Sequence, residues 1–406
     1  MPAHPGDPGG PGLLSPFRLR GALLRNRTVV SAMTQCSAVD GVTDDYHLVH
    51  LGRFALGGFG MVLTECLAVT EAGRSSWGDA GLWSDEHLAP LARVAEFVRA
   101  HGAVPAAQLG HAGRRAGQPR PWLRDGATEG CTPDPPWPWP LEGPAEMSAA
   151  TIAAIPAAFA AAAARAAAAG FGAIELHMAH AYFLSQCLAP GRNGRTDGYG
   201  GTRAGRARLP LEVVEHVRKV LPRDVPVLVK LSAVDEEGGV GIDDTMTFVR
   251  ELADRGVDLI DVSTTPHPGQ HLAYGYQVRW AERIRAQTGV PTMAAGLITE
   301  PRQADAVVRE ERADLVAIAR QALADPNWPL RAHAQLRGPG DDFAAWPRQS
   351  GMWLRSRQPV LERLGAWSDG MDCHTTGPRD RISAETQPPR ATKPQVSDLD
   401  RPHRDP

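Results

Sequence analysis

"VPVLVKLSAVDEEGGVGIDDTMTFVRELADRGVDLIDVST", residues 225–264, contains two short apolar runs, "VPVLVKLS" (225–232) and "DLIDVST" (258–264), on either side of a segment of helical period. In that segment "DTMTFVRELADRG" puts Phe248, Val249, Leu252 and Ala253 on one face with Met246 at its edge, and it stops at Gly256. The flanking runs are continuously apolar rather than alternating. Such strands are buried on both faces, as in a parallel sheet.

The same unit recurs along the chain. Further strand-length runs are "TVVSAM" (28–33), "MVLTECLAV" (61–69), "AVPAAQL" (103–109), "AIELHM" (173–178), "PTMAAG" (291–296) and "DLVAIAR" (314–320). Segments of helical period lie at 86–102, 209–221, 277–288 and 300–312. Strand–helix alternation gives an open doubly wound sheet or a closed barrel. Eight units over roughly 300 residues favour a single (β/α)8 TIM barrel, which commonly takes about 250 residues plus insertions. No G-x-G-x-x-G follows the first strand, which weakens the dinucleotide-fold alternative. The longest insertion follows the third strand, "HAGRRAGQPRPWLRDGATEGCTPDPPWPWPLEGPAEMS" (111–148). On a barrel such a loop lies on the catalytic face and is expected to be a lid. The domain reading is a flexible leader over 1–12, one barrel over 13–372 and a polar, Pro-rich, disordered tail over 373–406.

Composition removes several function classes. The net charge of -3 and pI near 6.5 give no basic surface for nucleic acid or an anionic membrane. Cysteines 36, 66, 131, 187 and 373 show no C-x-x-C pairing or metal-ligand spacing, so they read as reduced thiols of a cytoplasmic protein. The segment "SAATIAAIPAAFAAAAARAAAAG" (148–170) has the length of a membrane span. Ala is only weakly apolar, however, and Pro156 and Arg165 interrupt it. With Ser148 as N-cap and Gly170 as stop, it is expected to be a helix packed on a neighbour.

Barrel chemistry sits at the strand C-termini. There the sequence places Ala32, Met33, Thr34 and Cys36 after strand one, and Glu65 and Cys66 on strand two. Gln108, then His111 and Arg114, follow on strand three, and His177, His180 and Tyr182 on strand four. Lys230 lies on strand five, Gly296 ends strand seven, and Ala319 and Arg320 end strand eight. The imidazoles of "HMAH" could hold a metal, sit as satisfied core groups or face a ligand. "AAGLITEP" and "AIARQAL" set small residues before a helix, as phosphate-binding loops seven and eight do, with Arg320 adding a charged contact. Tight packing beside a surface arginine is the alternative. Gln108 and Lys230 near the centre suit a phosphorylated planar cofactor, a fixed cation stabilising the charge of a reduced flavin. Lys230 could instead form a Schiff base.

"HMAHAYFLSQCLAPGRNGRTDGYGGTRAGRARLPLEVV", "AAQLGHAGRRAG" and "AAGLITEPRQADAVVREERADLVAIARQALADPNWP" together resemble the old yellow enzyme family of FMN-dependent ene-reductases, in its bacterial, thermophilic-like branch. The resemblance covers about residues 14–355. It implies that FMN is lined by Ala32, Met33, Thr34 and Cys66, bonded at its pyrimidine edge by Gln108 and faced by Lys230, where the family more often has arginine. Gly296, Ala319 and Arg320 would hold its phosphate. His177 and His180 would hydrogen-bond the carbonyl or nitro oxygen of a small-molecule substrate, and Tyr182 would donate the proton, with NAD(P)H as electron donor. The resemblance also implies a homo-oligomer, dimer or tetramer. Two imidazole N–H donors polarise an activating carbonyl, so hydride from flavin N5 adds to the β-carbon, and a phenol protonates the α-carbon. A metal would need a further ligand. Glu175 shares the strand face of His177 but lies roughly 6–7 Å deeper, so it is a poor one.

The sequence departs from that branch at several places. Thr34 and Cys36 stand where a cysteine and a tyrosine are usual, so Cys36 would alter the substrate pocket. Ala181 replaces a frequent glycine and Cys66 a common alanine. Met352 takes the register of an arginine that can enter a neighbouring subunit's site, with Arg348 and Arg355 close by. Three rival readings remain: the same cofactor run as a biosynthetic dehydrogenase or isomerase, a metal-dependent hydrolase barrel, and a non-catalytic flavin-binding protein, against which the His/His/Tyr set argues.

Overall fold

The computed structural model describes residues 10–117, 120, 147–265, 269–338 and 343–365. Most of the expected lid with Cys131, the expected tail with Cys373, and the first nine residues of the leader lie outside the described residues. By its contacts the chain divides into two units, Met1–Arg355 and Ser356–Pro406. The barrel belongs to the first. The described part of the second is the end of the last helix and Gly365.

A two-residue turn opens the fold. β1 (Phe17–Leu19) and β2 (Ala22–Leu24) form an antiparallel hairpin about Arg20 and Gly21, with Arg20 in the left-handed region at φ 47. Eight parallel strands then close a barrel: β3 (Thr28–Val30), β4 (Met61–Ala68), β5 (Val104–Gly110), β6 (Ala173–Met178), β7 (Val227–Ser232), β8 (Leu259–Ser263), β9 (Thr292–Ala294) and β10 (Leu315–Ile318). β10 pairs back onto β3 through Val316–Thr28 and Ile318–Val30, so no edge is left open. All eight apolar runs lie on barrel strands. The first, seventh and eighth strands are shorter than their runs, because residues beyond Val30, Ala294 and Ile318 leave the ladder as mouth loops.

Helices α1 (Asp45–Leu56), α2 (Leu88–Ala100), α3 (Ala149–Ala168), α4 (Phe183–Leu188) and α5 (Arg203–Val220) belong to the first half of the alternation. α6 (Ile242–Asp254), α7 (Val278–Thr288), α8 (Pro301–Arg309), α9 (Arg320–Ala324), α10 (Trp328–Arg337) and α11 (Arg348–Leu364) follow. The sequence reading did not register α1, although Asp44 caps it by accepting from the Tyr46 N–H at 3.0 Å. It also passed over the hairpin, whose apolar residues flank the Arg-Gly turn. Leu19, Ala22 and Leu24 form one buried cluster with Val29, Met61, Leu63, Ala106, Leu228 and Leu259. The hairpin therefore packs against the inward residues of the barrel.

The Ala-rich segment is α3. Ser148 caps it by accepting from the Thr151 N–H at 3.1 Å, and Gly170 ends it at φ +89. By length and composition it could cross a membrane. In the fold it packs along α5 and buries Ile152, Ile155, Phe159, Ala163 and Ala166. Phe159 is fully buried. Phe159→Ala should cost about 3–5 kcal/mol of stability through lost contacts and the cavity left behind, read as a lowered urea midpoint.

Candidate active site

Period-two alternation stacks the barrel interior in layers. Ala106, Ala173, Leu228 and Leu259 form an apolar floor in the hairpin's cluster. Two residues on along the same strands come Gln108, Glu175, Lys230 and Asp261, all buried. One step further are His177, Ser232 and Ser263. Each strand thus carries its chemistry up towards the mouth.

The middle layer is one hydrogen-bonded set. Lys230 Nζ donates to Asp261 Oδ2 and to Ser31 Oγ at 3.2 Å. Gln108 Nε2 donates to Glu175 Oε1 at 2.6 Å. Burial alone would lower the Lys230 ammonium, but Asp261 and Glu175 outweigh it and hold it above its usual value. An ammonium hydrogen-bonded to a buried carboxylate and a hydroxyl is a poor amine nucleophile, which argues against the Schiff-base alternative. Burial first, then Asp261, pushes Glu175 up to about 8.

His177 and His180 follow from β6 and its exit loop. Their rings meet edge-on with centroids 5.3 Å apart, and the Tyr182 ring lies 4.7 Å from His177. The Ala179 N–H donates to His177 Nδ1 at 3.2 Å, so the ring proton is on Nε2. His180 Nε2 lies 2.8 Å from Ser263 Oγ, which Gln277 Nε2 approaches at 3.3 Å. Burial, then neighbouring positive groups, holds His177 well below the ordinary imidazole value and lowers His180 to about 3. Both rings are therefore neutral at pH 7 and each keeps one N–H. His180 and Ala181 both have positive φ, 57 and 55. The Ser232 hydroxyl accepts from the His180 N–H at 3.0 Å, and Gln186 Nε2 donates to the Ala181 carbonyl at 2.6 Å.

Tyr182 borders a cleft of about 210 Å³ with Cys66, Ala68, Gly73, Ser75, Asp79 and Ala112. Burial raises its phenol, against a smaller lowering from Ser75. The Arg115 guanidinium lies 5.9 Å from its ring centre. Cys36 is reached by a left-handed backbone step, φ 50, and its Sγ lies 3.9 Å from Asp79 Oδ1. Burial pushes this thiol up to about 11 and Asp79 up to about 6. Asp79 accepts from the Ser75 N–H at 2.7 Å and hydroxyl at 2.6 Å. Cys66 pairs in register with Gln108 beside a strand irregularity, and burial holds its thiol well above the usual value.

On the far side, Arg320 begins α9 after Ala319, is exposed, and forms no hydrogen bond or ion pair among the described residues. Gly296 turns at φ +99 against Gln277, whose backbone and side chain a Cβ would meet at 3.1 Å. Ala32 and Met33 are half-buried and Thr34 exposed. The donor set fits a flavin mononucleotide. Lys230 has three N–H bonds and two partners, Gln108 keeps a carbonyl and one N–H, and Arg320 is an open cation. A separate cavity of about 540 Å³ lies beside α5 and α6. Its arginines are engaged, Arg203 with Glu251 and Arg206 with the carbonyls of Leu188 and Gly201.

The sequence reading missed Asp261, Ser263, Ser31, Asp79, Ser75 and Arg115. The first two were legible as inward positions of "DLIDVST", alternate with Leu259. Arg115 was hidden by its neighbour Arg114. Among the described residues no group of three or more His, Cys, Asp or Glu side chains could hold a metal ion.

Residues 12–338 match the NADH:flavin oxidoreductase / NADH oxidase family. The chain is 38% identical over 329 residues to an NADPH dehydrogenase of Geobacillus thermodenitrificans, covering 80% of this chain and 94% of that protein. Among solved structures, morphinone reductase superposes with TM-score 0.67 at 28% identity, over 80% of this chain and 89% of that one. A 2-naphthoyl-CoA reductase complexed with 2-naphthoyl-CoA gives TM-score 0.72 at 25% identity. There the match covers 79% of this chain but about half (52%) of the longer one.

The buried histidines set an acid limit. His180 titrates near 6.5 in the unfolded chain and near 3 in the fold, so the unfolded state binds more protons between those values. Stability from this source is present above pH 6.5 and is lost as pH falls towards 3. His180→Gln should lose less urea stability than the wild type between pH 7 and 4.5.

Proposed function

The chain belongs to the NADH:flavin oxidoreductase / NADH oxidase family, the old yellow enzymes, and is an NAD(P)H-dependent FMN oxidoreductase; from that premise we propose that it reduces the activated C=C bond of an α,β-unsaturated carbonyl or similar small molecule. The observation that carries this reading is the pair of buried, neutral imidazoles packed edge-on beside a protonated phenol. When bound, FMN supplies hydride from N5 to the alkene β-carbon. On this reading Ala32, Met33, Thr34 and Cys66 line it, Gln108 and Lys230 face its pyrimidine edge, and Gly296, Ala319 and Arg320 take the phosphate.

On this reading His177, through Nε2–H, and His180 hydrogen-bond the substrate's carbonyl or nitro oxygen and favour the negative charge that grows there. Neutrality suits this task, since a charged imidazolium would be taken out of water beside Lys230 and Arg115. Tyr182 then gives its proton to the α-carbon, and burial keeps that proton in place at neutral pH. Cys36 stands at the edge of the substrate space with Asp79 behind it, in place of a bulky phenol. The biosynthetic dehydrogenase or isomerase reading uses the same groups in the other direction. For the hydrolase barrel, His180 already spends Nε2 on Ser263, and Glu175 is committed to Gln108.

Two measurements test the assignment. Tyr182→Phe should leave flavin reduction by NAD(P)H near the wild-type rate and slow reoxidation by an enone by about 10²–10⁴-fold, read by stopped flow. Equal slowing of both halves would make Tyr182 structural. Arg320→Ala removes a charged hydrogen bond of about 1.5–3 kcal/mol and should weaken FMN retention by roughly tenfold or more, read by flavin release on dilution. Unchanged retention would move the phosphate site elsewhere.

A further inference from the structure

Two fully buried carboxyl groups share the middle layer with a single cation. Asp261 and Glu175 are both at 0% exposure, and Lys230 is the one positive group hydrogen-bonded in that layer among the described residues. Lys230 is spent on Asp261 Oδ2. Glu175 Oε1 takes the Gln108 amide. That leaves Glu175 Oε2 and Asp261 Oδ1, both buried and neither with a hydrogen-bond donor, and the Asp261 side chain is near enough to Glu175 to raise its carboxyl. Two ionised carboxylates cannot bond each other, and a buried anion without compensation is costly. One proton between them satisfies both oxygens and brings the layer to zero net charge.

We infer that Glu175 carries that proton, donates it to Asp261, and acts as a positioning residue that orients Gln108 and keeps the floor of the cofactor site from becoming anionic. This rests on the reading that FMN lies over Gln108 and Lys230. Asp261 holds the ammonium and keeps the negative charge, so the proton falls to its neighbour. Glu175 Oε1 then fixes the Gln108 amide with Nε2 towards the carboxyl and the carbonyl free to meet an N–H of the ligand. The groups facing Glu175 do not supply a second cation. They are Asp261 and Lys230 on β8 and β7, Gln108 on β5, the protonated Cys66 thiol on β4 and the neutral His177 on its own strand.

A consequence follows for electron transfer. NAD(P)H delivers an electron pair and one proton to the site as hydride, which leaves one extra negative charge above the layer. Where Glu175 is ionised, above about pH 8, that charge draws one proton from solvent onto the carboxylate. Two protons are then taken up per electron pair above this pH and one below it. With Gln in place of Glu the side chain is neutral throughout, its N–H replaces the shared proton, and the count stays at one.

The test uses holoenzyme as purified, wild type and Glu175→Gln. Infrared spectroscopy should show a buried protonated carboxyl in the wild type at pH 7 that fades through about pH 8 and is missing from the variant. Redox titration of the bound flavin from pH 6 to 10 should give a slope against pH that doubles above the break in the wild type. The variant should show one unbroken slope. Absence of the carboxyl band in the wild type, where no variant is needed, overturns the shared proton. A band with the same slopes in both proteins overturns its link to the cofactor. FMN retention unchanged in both Lys230→Met and Gln108→Ala would instead refute the placement of FMN, with the infrared result standing on its own.

Discussion

The pairing of Lys230 with Asp261 is the constraint around which the barrel interior is arranged. Each ion taken out of water alone costs several kcal/mol, and removing one partner of such a pair typically costs 3–5 kcal/mol. The fold meets this cost by geometry rather than by exposure. Adjacent parallel strands place the two residues in register, and closure of the barrel brings Ser31 from β3 to the same ammonium. The apolar floor, capped from below by the β1–β2 hairpin's leucines, keeps the set dry. An ion pair held this way cannot drift, which is what a planar ligand above it requires of its floor.

The next layer up depends on this one. The positive groups on two sides, Lys230 below and Arg115 at the rim, add to burial in lowering His180. His180 is also held by a backbone that L-residues avoid, with two successive left-handed residues, each strained by roughly 1–2 kcal/mol. The Ser232 hydroxyl and the Gln186 amide fix both ends of that step. Ala181 therefore sits at a conformation that glycine would adopt without strain, and the packing around the imidazoles supplies what the backbone lacks. The strain lies in the loop that carries the proposed substrate clamp, where a small shift of either ring would separate the two donors.

Much of this was readable from the chain, and the pattern of what was not has one cause. Burial on both faces made each strand visible as an apolar run, and Lys230, Gln108 and His177 stood out because they interrupt such runs. Asp261 interrupts "DLIDVST" in the same way, but an acidic residue beside a second one at Asp258 reads as a strand boundary. Ser31 and Ser263 are small enough to pass for core. The hairpin was invisible for a different reason. Its strands are three residues each, below the length at which alternation can be told from chance, and only the closed barrel gives them a surface to cap. α1 was signalled by its Asp44 cap, yet its apolar face is interrupted by His47 and His50, both buried.

Those two histidines show that the same logic extends behind the mouth. His47 lies between Asp44, at 2.8 Å from Nδ1, and Glu65, whose Oε1 is 3.5 Å from Nε2, and these acids outweigh burial to raise it. His50, one turn on, faces Arg53 and the same His47, and burial leads its fall to about 4. One helix turn thus holds one imidazole primed to be charged and one kept neutral. Glu65 also accepts from the Gln35 N–H at 3.3 Å, so the His47–Glu65 contact reaches the loop that carries Met33, Thr34 and Cys36. The mouth loop after β3 is therefore held from behind by a buried acid, as Gln108 in the proposed cofactor floor is held by Glu175. In both places a carboxyl group that touches no substrate fixes the direction in which its neighbours' hydrogen bonds point.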